Sequence, residues 1–524
     1  MKVLLVTGLI AKENVERYST ESHVQTKVIA LKVPVAAFLT STQIIEALKS
    51  VNLKKYDLVL VPGLIRGDTK AISSALGVPT FKGPIYYADL PTVLDSLGEI
   101  KLSTITPADE LLREKLQEQA LAEIVKVEAN RDALLKKPGN ILVGNLPVGK
   151  DFPMRVLGEI VDAALLNDEE IERLAKRYVA DGADLVDLGM VAGESRPEDA
   201  RRVITAAKKA VKVPVSIDSI DPNEIKEAVS AGADLILSLD EGNIKAIAPL
   251  PSDVAVVVIP TNQREGYFPK KTEERVRLLE GIIAEAKSLG IEKILGDLIL
   301  DPIDVSGSFF AFHRFAQRNP TVPIFVGVSN VTELIDADSV GVNALLARLS
   351  SEVGAGMLLA TQKSDKAQGS IKEEAIAAKM MFLANKRGSV PKDLGIDLLV
   401  LKNKRNHEEM CNSSFEKTDN ILVASDPKKP AELDEKGGFR VFVDRSDQDI
   451  VVTHFASTVS KKTDLTVKGK TAEVIYLKII ELGLVSSLDH AAYLGSELAK
   501  AEIALRTGKE FIQDQPMFKK LGMA

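Results

Sequence analysis

The chain has 524 residues, more than one hydrophobic core normally holds, so about two to four domains are expected. Its hydrophobic content of 45% and charged content of 27% are typical of a soluble globular protein. The net charge is −7, with 67 basic and 74 acidic residues mixed along the chain. This balance argues against a nucleic-acid-binding protein, because the chain has no excess of basic residues that could bind the phosphates.

The single cysteine and the first residues indicate the compartment. One cysteine, Cys411, allows neither an intrachain disulfide nor a cysteine-rich metal site. The opening stretch MKVLLVTGLIAKENV has only a short apolar run, which predicts a first strand and not a signal peptide or a membrane span. We therefore expect a cytoplasmic protein that has no membrane partner.

The first 104 residues alternate predicted strands with predicted helices. Strands are expected at Lys2–Thr7, Val28–Ala30 and Asp57–Val61, with helices at Thr42–Ser50 and Thr69–Leu76. This alternation indicates a small open α/β domain with a parallel sheet. No Gly-x-Gly-x-x-Gly motif follows the first strand, so the dinucleotide-binding fingerprint is missing.

Residues 105–139 have the pattern of one long connector helix. Apolar residues recur there with a spacing close to 3.6 and share one stripe: Leu112, Leu116, Ala120, Ile124 and Val127. Pro138-Gly139 ends the pattern. We expect this helix to pack against the rest of the protein on one side only.

Residues 140–390 repeat the order strand, loop, helix. Strands are predicted at Val156–Ile160, Asp184–Leu188, Val213–Ile217, Leu235–Ser238, Val254–Ile259, Ile294–Leu300, Ile324–Val328 and Met357–Ala360. Eight such units in about 250 residues are the number and size of a TIM barrel. A doubly wound open sheet is the competing architecture.

Residues 391–524 are predicted to form a separate α+β domain. Gly437-Gly438 precedes two alternating stretches, FRVFVDR and DIVVTHF, whose polar connection predicts a β-hairpin. Helices are expected near Thr471–Leu482 and Leu488–Thr507. The predicted fold class is thus α/β, with a central (β/α)8 barrel between an N-terminal open α/β domain and a C-terminal α+β domain.

Acidic side chains collect where functional groups of a TIM barrel are normally found. Five of them lie at or just past predicted strand ends, at the mouth of the barrel: Asp162, Asp187, Glu194, Asp218 and Asp301. A helix N-cap is the alternative role for acidic residues at such places and suits Asp168 and Asp221. It suits Asp187 and Asp218 less well, because both directly continue apolar strands.

These carboxylates fit a flat heterocycle that is rich in N–H donors. One ionised carboxylate accepts two parallel hydrogen bonds from an aminopyrimidinone edge. Buried carboxylates without donors are costly, so such a ligand would complete the site. The same oxygens could hold Mg²⁺, although the absence of a tight Asp-x-Asp cluster makes a metal site alone less favoured.

Two further candidates follow the last two predicted strands. Asn330 lies in GVSNVTE, where its amide can both donate to and accept from a ring nitrogen; a turn residue is the alternative. Lys363 lies in TQKSDKAQGS, after the eighth strand, where many barrels bind phosphate; a solvated loop is the alternative.

Three stretches resemble motifs of the dihydropteroate synthases. GADLVDLGMVAGESRPED resembles their second-strand motif, VPVSIDS their third, and ILDPIDVSGSFFAFHRF their sixth-strand segment. The three-part layout is similar to that of the archaeal dihydropteroate synthase-like proteins. The resemblance implies that Asp187, Asp218 and Asp301 hold a pterin ring. From their places after predicted strands, Asp162, Glu194 and Asn330 are expected to line the substrate site as well.

The resemblance also implies an activity. An arylamine, which could carry a ribosyl phosphate, would displace diphosphate from a hydroxymethyldihydropterin diphosphate in folate or tetrahydromethanopterin biosynthesis. Asp218, Asn330 and Lys363 are the expected catalytic residues, and a homodimer is the expected assembly.

Departures from the family keep two alternatives open. Ile160-Val161-Asp162 replaces the first-strand Asn-x-Thr, and the eighth-strand Arg-x-His is missing, although Lys363 could substitute for a lost cation. Ser329-Asn330-Val331 is instead similar to pterin-dependent methyltransferases, which would imply methyl transfer from a methylated tetrahydropterin to cobalamin or a thiol. The remaining alternative is a non-catalytic pterin-binding protein whose partner protein docks on the C-terminal domain.

Overall fold

The computed structural model describes residues 1–402, 434–445, 447–456 and 463–518 of the chain. Cys411 lies outside these ranges. Within them, no helix is both long enough and apolar enough to cross a membrane.

The N-terminal region contains a four-stranded parallel sheet with helices on both faces. Its elements are β1 (Lys2–Thr7), α1 (Lys12–Ser19), β2 (Gln25–Ala30), α2 (Ser41–Leu48), β3 (Leu58–Val61), α3 (Lys70–Leu76), β4 (Thr80–Lys82) and α4 (Leu90–Asp95). The strand order is β2-β1-β3-β4. Val3 and Leu5 of β1 pack into one apolar cluster and Leu4 and Val6 into another, as expected of a strand covered on both faces. The sequence did not predict β4, which is too short for a periodic pattern.

The predicted connector consists of three helices and not one. They are α5 (Ala108–Leu111), α6 (Arg113–Ala129) and α7 (Arg131–Leu134). The backbone leaves the helical conformation at Leu112 and at Asn130. Asparagine is a weak helix former, which fits the second break. Ala120 of α6 packs against Leu383 and Ala384 of the barrel, so the apolar stripe does face one side.

Eight parallel strands close into a barrel, which confirms the TIM-barrel prediction and excludes the open sheet. The strands are β7 (Arg155–Ile160), β8 (Leu185–Gly189), β9 (Val215–Asp218), β10 (Leu235–Leu239), β11 (Ala255–Val258), β12 (Ile294–Gly296), β13 (Ile324–Gly327) and β14 (Ala355–Thr361). The helices are α8 (Asp168–Asp181), α9 (Pro197–Ala210), α10 (Pro222–Ser230), α11 (Ile244–Ile247), α12 (Thr272–Ser288), α13 (Val305–Arg318), α14 (Ser329–Thr332), α15 (Ser339–Glu352) and α16 (Ser370–Arg387).

A hairpin closes the amino-terminal end of the barrel. It is formed by β5 (Asn140–Val143) and β6 (Leu146–Gly149), which pair in antiparallel fashion. Val143 and Val148 pack with the inward-facing Leu157, Leu185 and Phe325. Since apolar side chains fill this end, polar groups of the barrel interior can meet a ligand only at the opposite end, the mouth.

The C-terminal region is an α+β unit. Three antiparallel strands, β15 (Gly438–Asp444), β16 (Asp449–Phe455) and β17 (Leu465–Gly469), are covered by α17 (Ala472–Glu481) and α18 (Leu488–Thr507). Val441 and Val452 of the sheet pack against Ile475 and Leu498 of the helices. The sequence predicted the hairpin and both helices and missed β17.

A group of acidic side chains lies where the N-terminal domain meets the barrel. Asp109 is buried, and its carboxylate accepts a hydrogen bond of 3.0 Å from the backbone N–H of Ile85. Asp89 is buried as well and pairs with Arg387 of α16. The pKa of Asp109 is raised to about 6, mainly by burial and in addition by the neighbouring carboxylates of Asp89 and Asp393.

We expect Asp109→Asn to stabilise the protein at pH 8 by about 1–2 kcal/mol. The folded chain keeps a proton on Asp109 up to about pH 6, whereas the unfolded chain loses it near the ordinary value of 3.8, so stability falls as the pH rises through this window. Asparagine keeps the acceptor oxygen and removes the charge. Urea unfolding at pH 4.5 and pH 8 measures the effect, with the exposed Asp132→Asn as the control. An equal pH dependence in both variants would contradict this assignment.

Candidate functional site

Strand register brings polar side chains together inside the barrel mouth. Glu159 of β7 lies beside Asp187 of β8, and Asp187 lies beside Ser216 of β9. Leu157 and Leu185, each two residues earlier, belong to the apolar filling of the barrel interior. Because alternate strand residues point the same way, Glu159 and Asp187 also point inward, one layer closer to the mouth.

Three carboxylates form a compact acidic cluster at this level. One oxygen each of Glu159, Asp187 and Asp218 lies within 4.8 Å of the others. Asp187 is fully buried and accepts a hydrogen bond of 2.5 Å from the Ser216 hydroxyl, while its Oδ2 has no hydrogen-bond partner among the residues that the structure describes. Asp218 is half-buried and accepts a hydrogen bond of 2.6 Å from the Ser238 hydroxyl. Within the described ranges, none of the three carboxylates forms a salt bridge.

Burial and mutual repulsion favour the protonated forms of these acids. The pKa of Glu159 is raised to about 8, mainly by burial and in addition by the carboxylates of Asp218 and Glu333. Burial also raises the pKa of Asp187 well above its ordinary value, with Asp218 and Glu159 adding to the shift. The pKa of Asp218 is raised by burial and lowered in part by the Ser238 hydroxyl. The cluster therefore presents both proton donors and acceptors near neutral pH.

The sixth strand contributes a different aspartate from the one predicted. The sequence placed the strand end at Leu300 and hence Asp301 at the mouth, but β12 ends at Gly296 and Asp297 follows it. Asp297 is buried, and its pKa is raised to about 7 by burial and by Asp218. Asp301 instead lies 3.5 Å from Arg275 and accepts a hydrogen bond from the N–H of Ile303.

Three residues near the barrel mouth have a strained backbone conformation. Asp162, Ser238 and Ile299 have φ angles of +53°, +64° and +62°, in the left-handed region that β-branched residues in particular avoid. Asp162 and Ile299 follow barrel strands, and Ser238 is the next-to-last residue of β10. Strain of this kind concentrates at functional sites, where the surrounding structure holds it in place.

Asp162, Lys363 and Asn330 lie at the rim, outside the acidic cluster. Asp162 and Lys363 pair with each other at 3.1 Å. Asn330 is exposed, and its amide donates a hydrogen bond of 3.2 Å to the carbonyl of Leu300. These three candidates are thus engaged with protein groups, although Asn330 remains open to solvent.

Glu194 lies in the loop after β8 and is paired with Arg196 at 2.5 Å. It lines a cavity beside the mouth and is not part of the acidic cluster. The cluster itself offers three carboxylate oxygens to a hard cation such as Mg²⁺, which would contact Glu159, Asp187 and Asp218. A pterin ring and a cation would compete for the same oxygens.

The sequence analysis missed Glu159 and Asp297. Glu159 could have been found from strand alternation, because it interrupts an apolar strand two residues after an inward leucine, just as Asp187 does. Asp297 carried the same signal, because it follows the inward-facing Leu295 by two residues; it was missed because Ile294–Leu300 was treated as one strand, whereas the strand ends at Gly296.

Three family profiles match the chain. "Pterin binding enzyme" matches residues 160–360, which lie in the barrel. "Family of unknown function (DUF6513)" matches residues 1–85, and "PterinBD-DUF4346" matches residues 433–514.

Curated relatives and solved structures add to these matches. An uncharacterised protein of Methanocaldococcus jannaschii is 40% identical over 532 residues, covering 99% of each chain. A Ycf91-like protein of Nostoc sp. is 33% identical over 120 residues, covering 18% of this chain and 94% of that protein. A Xanthomonas albilineans dihydropteroate synthase in complex with 7,8-dihydropteroate is 20% identical, covering 48% of this chain and 99% of its own, with a TM-score of 0.39. For the Yersinia pestis dihydropteroate synthase in complex with a pterin–sulfa conjugate, the identity is 17%, the coverage 48% and 100%, and the TM-score 0.38.

Proposed function

The chain belongs to the archaeal dihydropteroate synthase-like, pterin-binding proteins, and from this premise we propose that it condenses a hydroxymethyldihydropterin diphosphate with an arylamine. The observation that carries the proposal is the acidic cluster of Glu159, Asp187 and Asp218, whose oxygens converge at the barrel mouth without a cationic partner in the described part of the chain. An aminopyrimidine edge supplies the N–H donors that such a cluster lacks.

We assign different tasks to the acids according to their access to solvent. Asp218 is half-buried and can accept hydrogen bonds from the ring, with Glu159 beside it. Asp187 has no exposed surface, so it acts through its neighbours: it accepts a hydrogen bond from the Ser216 hydroxyl, and the carboxylates of Asp218 and Glu159 disfavour its own ionisation. Asp297, near Asp218, would approach the ring from the opposite side of the barrel. Asp301, paired with Arg275, is left out of this site.

In the proposed reaction the arylamine nitrogen attacks the methylene carbon of the pterin. The C–N bond forms as the C–O bond to diphosphate breaks, and the amine proton passes to a carboxylate or to solvent. Barrel residues would contribute mainly by holding the two reactants in line. A Mg²⁺ ion bound with diphosphate would neutralise charge on the leaving group.

Methyl transfer from a methylated tetrahydropterin is the second candidate. Two observations favour it: the exposed amide of Asn330, and the pairing of Lys363 with Asp162, which leaves the loop after β14 without this cation for a diphosphate. Acids with raised pKa values could supply the proton that the pterin N5 takes up when the methyl group leaves.

The homodimer and a protein partner for the C-terminal domain stay predictions.

Diphosphate release is the test of the proposed condensation. The full chain is incubated with Mg²⁺, 6-hydroxymethyl-7,8-dihydropterin diphosphate and either 4-aminobenzoate or a ribosyl-phosphate-bearing aniline. We expect diphosphate and a dihydropteroate-type product in equal amounts. Pterin binding without product would refute the condensation. Methyl transfer from methyltetrahydropterin to cob(I)alamin would then support the second candidate, and its absence would leave the non-catalytic binder.

A further inference from the structure

A cavity of about 330 Å³ opens beside the acidic cluster, on the side of strands β8 to β11. Its lining includes Ile220, which lies two residues after Asp218, and Asp240, which lies two residues after Ser238. Ser238 and Asp218 are themselves joined by a hydrogen bond of 2.6 Å, so the loops that line the cavity continue directly from the strands of the proposed pterin site.

Arg264 lines this cavity and is presented by a rigid loop after β11. Asn262 and Tyr267 exchange two backbone hydrogen bonds of 2.9 Å across the loop. Buried Asp240 accepts a hydrogen bond from the Thr261 hydroxyl at 2.9 Å and another from the N–H of Gln263 at 2.6 Å. These contacts fix the backbone on both sides of Arg264, so a ligand would not have to order the loop.

Arg264 differs from the other basic side chains in the βα loops of the barrel. Five of those are engaged, four in ion pairs and one over an aromatic ring: Arg196 with Glu194, Lys271 with Glu274, Lys363 with Asp162, Lys366 with Asp336, and Lys270 over Phe268. Among the residues that the structure describes, Arg264 forms no salt bridge and stacks on no ring. Its guanidinium is the one charged donor that these loops leave for a ligand.

The acidic residues that line the same cavity already have partners. Asp240 accepts three hydrogen bonds, the third from the N–H of Gly242. Asp221 caps α10 by accepting from the N–H groups of Asn223 and Glu224, and Glu194 pairs with Arg196. These carboxylates thus already have hydrogen-bond or ion-pair partners within the protein, whereas the Arg264 guanidinium has no acidic partner among the described residues.

We propose that this cavity binds the anionic group, phosphate or carboxylate, of one of the two substrates, with Arg264 as its charged donor. This inference rests on the proposed pterin site at Asp218. It places the charge of the substrate on the β8–β11 side of the mouth. The loop after β14 lies on the opposite side, and its two lysines, Lys363 and Lys366, are paired with carboxylates. An Arg guanidinium suits either anion, since both accept its paired N–H groups.

Titration calorimetry on the full chain tests the proposal. The probes are 6-hydroxymethyl-7,8-dihydropterin, its diphosphate ester, inorganic diphosphate, and 4-aminobenzoate added to the pterin-saturated protein. We expect Arg264→Gln to weaken at least one anionic probe by about tenfold or more, since a hydrogen bond to a charged group is lost. Binding of the uncharged pterin should stay within about twofold, because it makes no contact with this cavity.

Two comparison variants sharpen the result. Arg264→Lys should recover part of the lost affinity, and the exposed Arg277→Gln on α12 should change nothing. If Arg264→Gln loses affinity only for the diphosphate probes, the cavity binds the pterin substrate. If it loses affinity only for 4-aminobenzoate, the cavity binds the acceptor. Equal anion affinities in wild type and Arg264→Gln would overturn the proposal. Failure of the wild type to bind the uncharged pterin would instead refute the pterin site.

Discussion

Replacing Asp218 with Asn should weaken the binding of 6-hydroxymethyl-7,8-dihydropterin by about a hundredfold. The half-buried carboxylate is the accessible aspartate of the acidic cluster, and its charge strengthens each hydrogen bond it accepts from the ring. Asparagine offers one acceptor and places an N–H₂ donor where the ring also presents donors. The loss therefore includes both a missing charge-assisted bond and a repulsive contact.

Fluorescence or calorimetric titration of the full chain gives this affinity directly. Asp253→Asn is the matched control, since Asp253 is exposed before β11, at the opposite end of the barrel. Thermal unfolding of both variants separates lost binding from lost folding. Because its partly buried position raises the pKa of Asp218 and so disfavours the ionised form, its replacement should not destabilise the barrel. Wild-type affinity in Asp218→Asn would refute the pterin site at this cluster.

The barrel could be predicted from the sequence because its strands are short apolar runs at regular spacing. Leu185–Gly189 and Ile324–Gly327 are almost entirely buried, as parallel strands covered by helices must be. Elements without such a signal were missed. β17 has mostly exposed side chains, and the breaks in the connector at Leu112 and Asn130 leave its apolar stripe intact.

The candidate site was only partly predictable, since it depends on side-chain direction and on strand ends. Asp187 and Asp218 were found because each carboxylate interrupts or ends an apolar strand. Glu159 was overlooked in favour of Asp162, three residues later, which lies past the strand and pairs with Lys363. A one-residue change in register reverses the face of a strand residue, so a carboxylate near a strand end is placed reliably only when alternation is counted.

A second large effect should come from Glu159→Gln, which we expect to raise the stability of the unliganded protein at pH 9 by about 3 kcal/mol. The pKa of Glu159 rises from its ordinary value of 4.5 to about 8 in the folded chain. Between these values the folded state holds a proton that the unfolded state releases, so wild-type stability falls as the pH rises through this window. Glutamine is neutral at every pH and of similar shape, which removes this loss.

Unfolding midpoints at pH 5 and pH 9 measure the difference, with the exposed Glu292→Gln as the control. The two proteins should agree at pH 5, where Glu159 is already protonated in the folded state, and diverge at pH 9. A residual pH dependence is expected in Glu159→Gln, because Asp187 and Asp297 also have raised pKa values. Parallel curves for wild type and Glu159→Gln would mean that Glu159 is solvated and outside the acidic cluster, and the pterin site would then have only Asp187 and Asp218 to hold the ring.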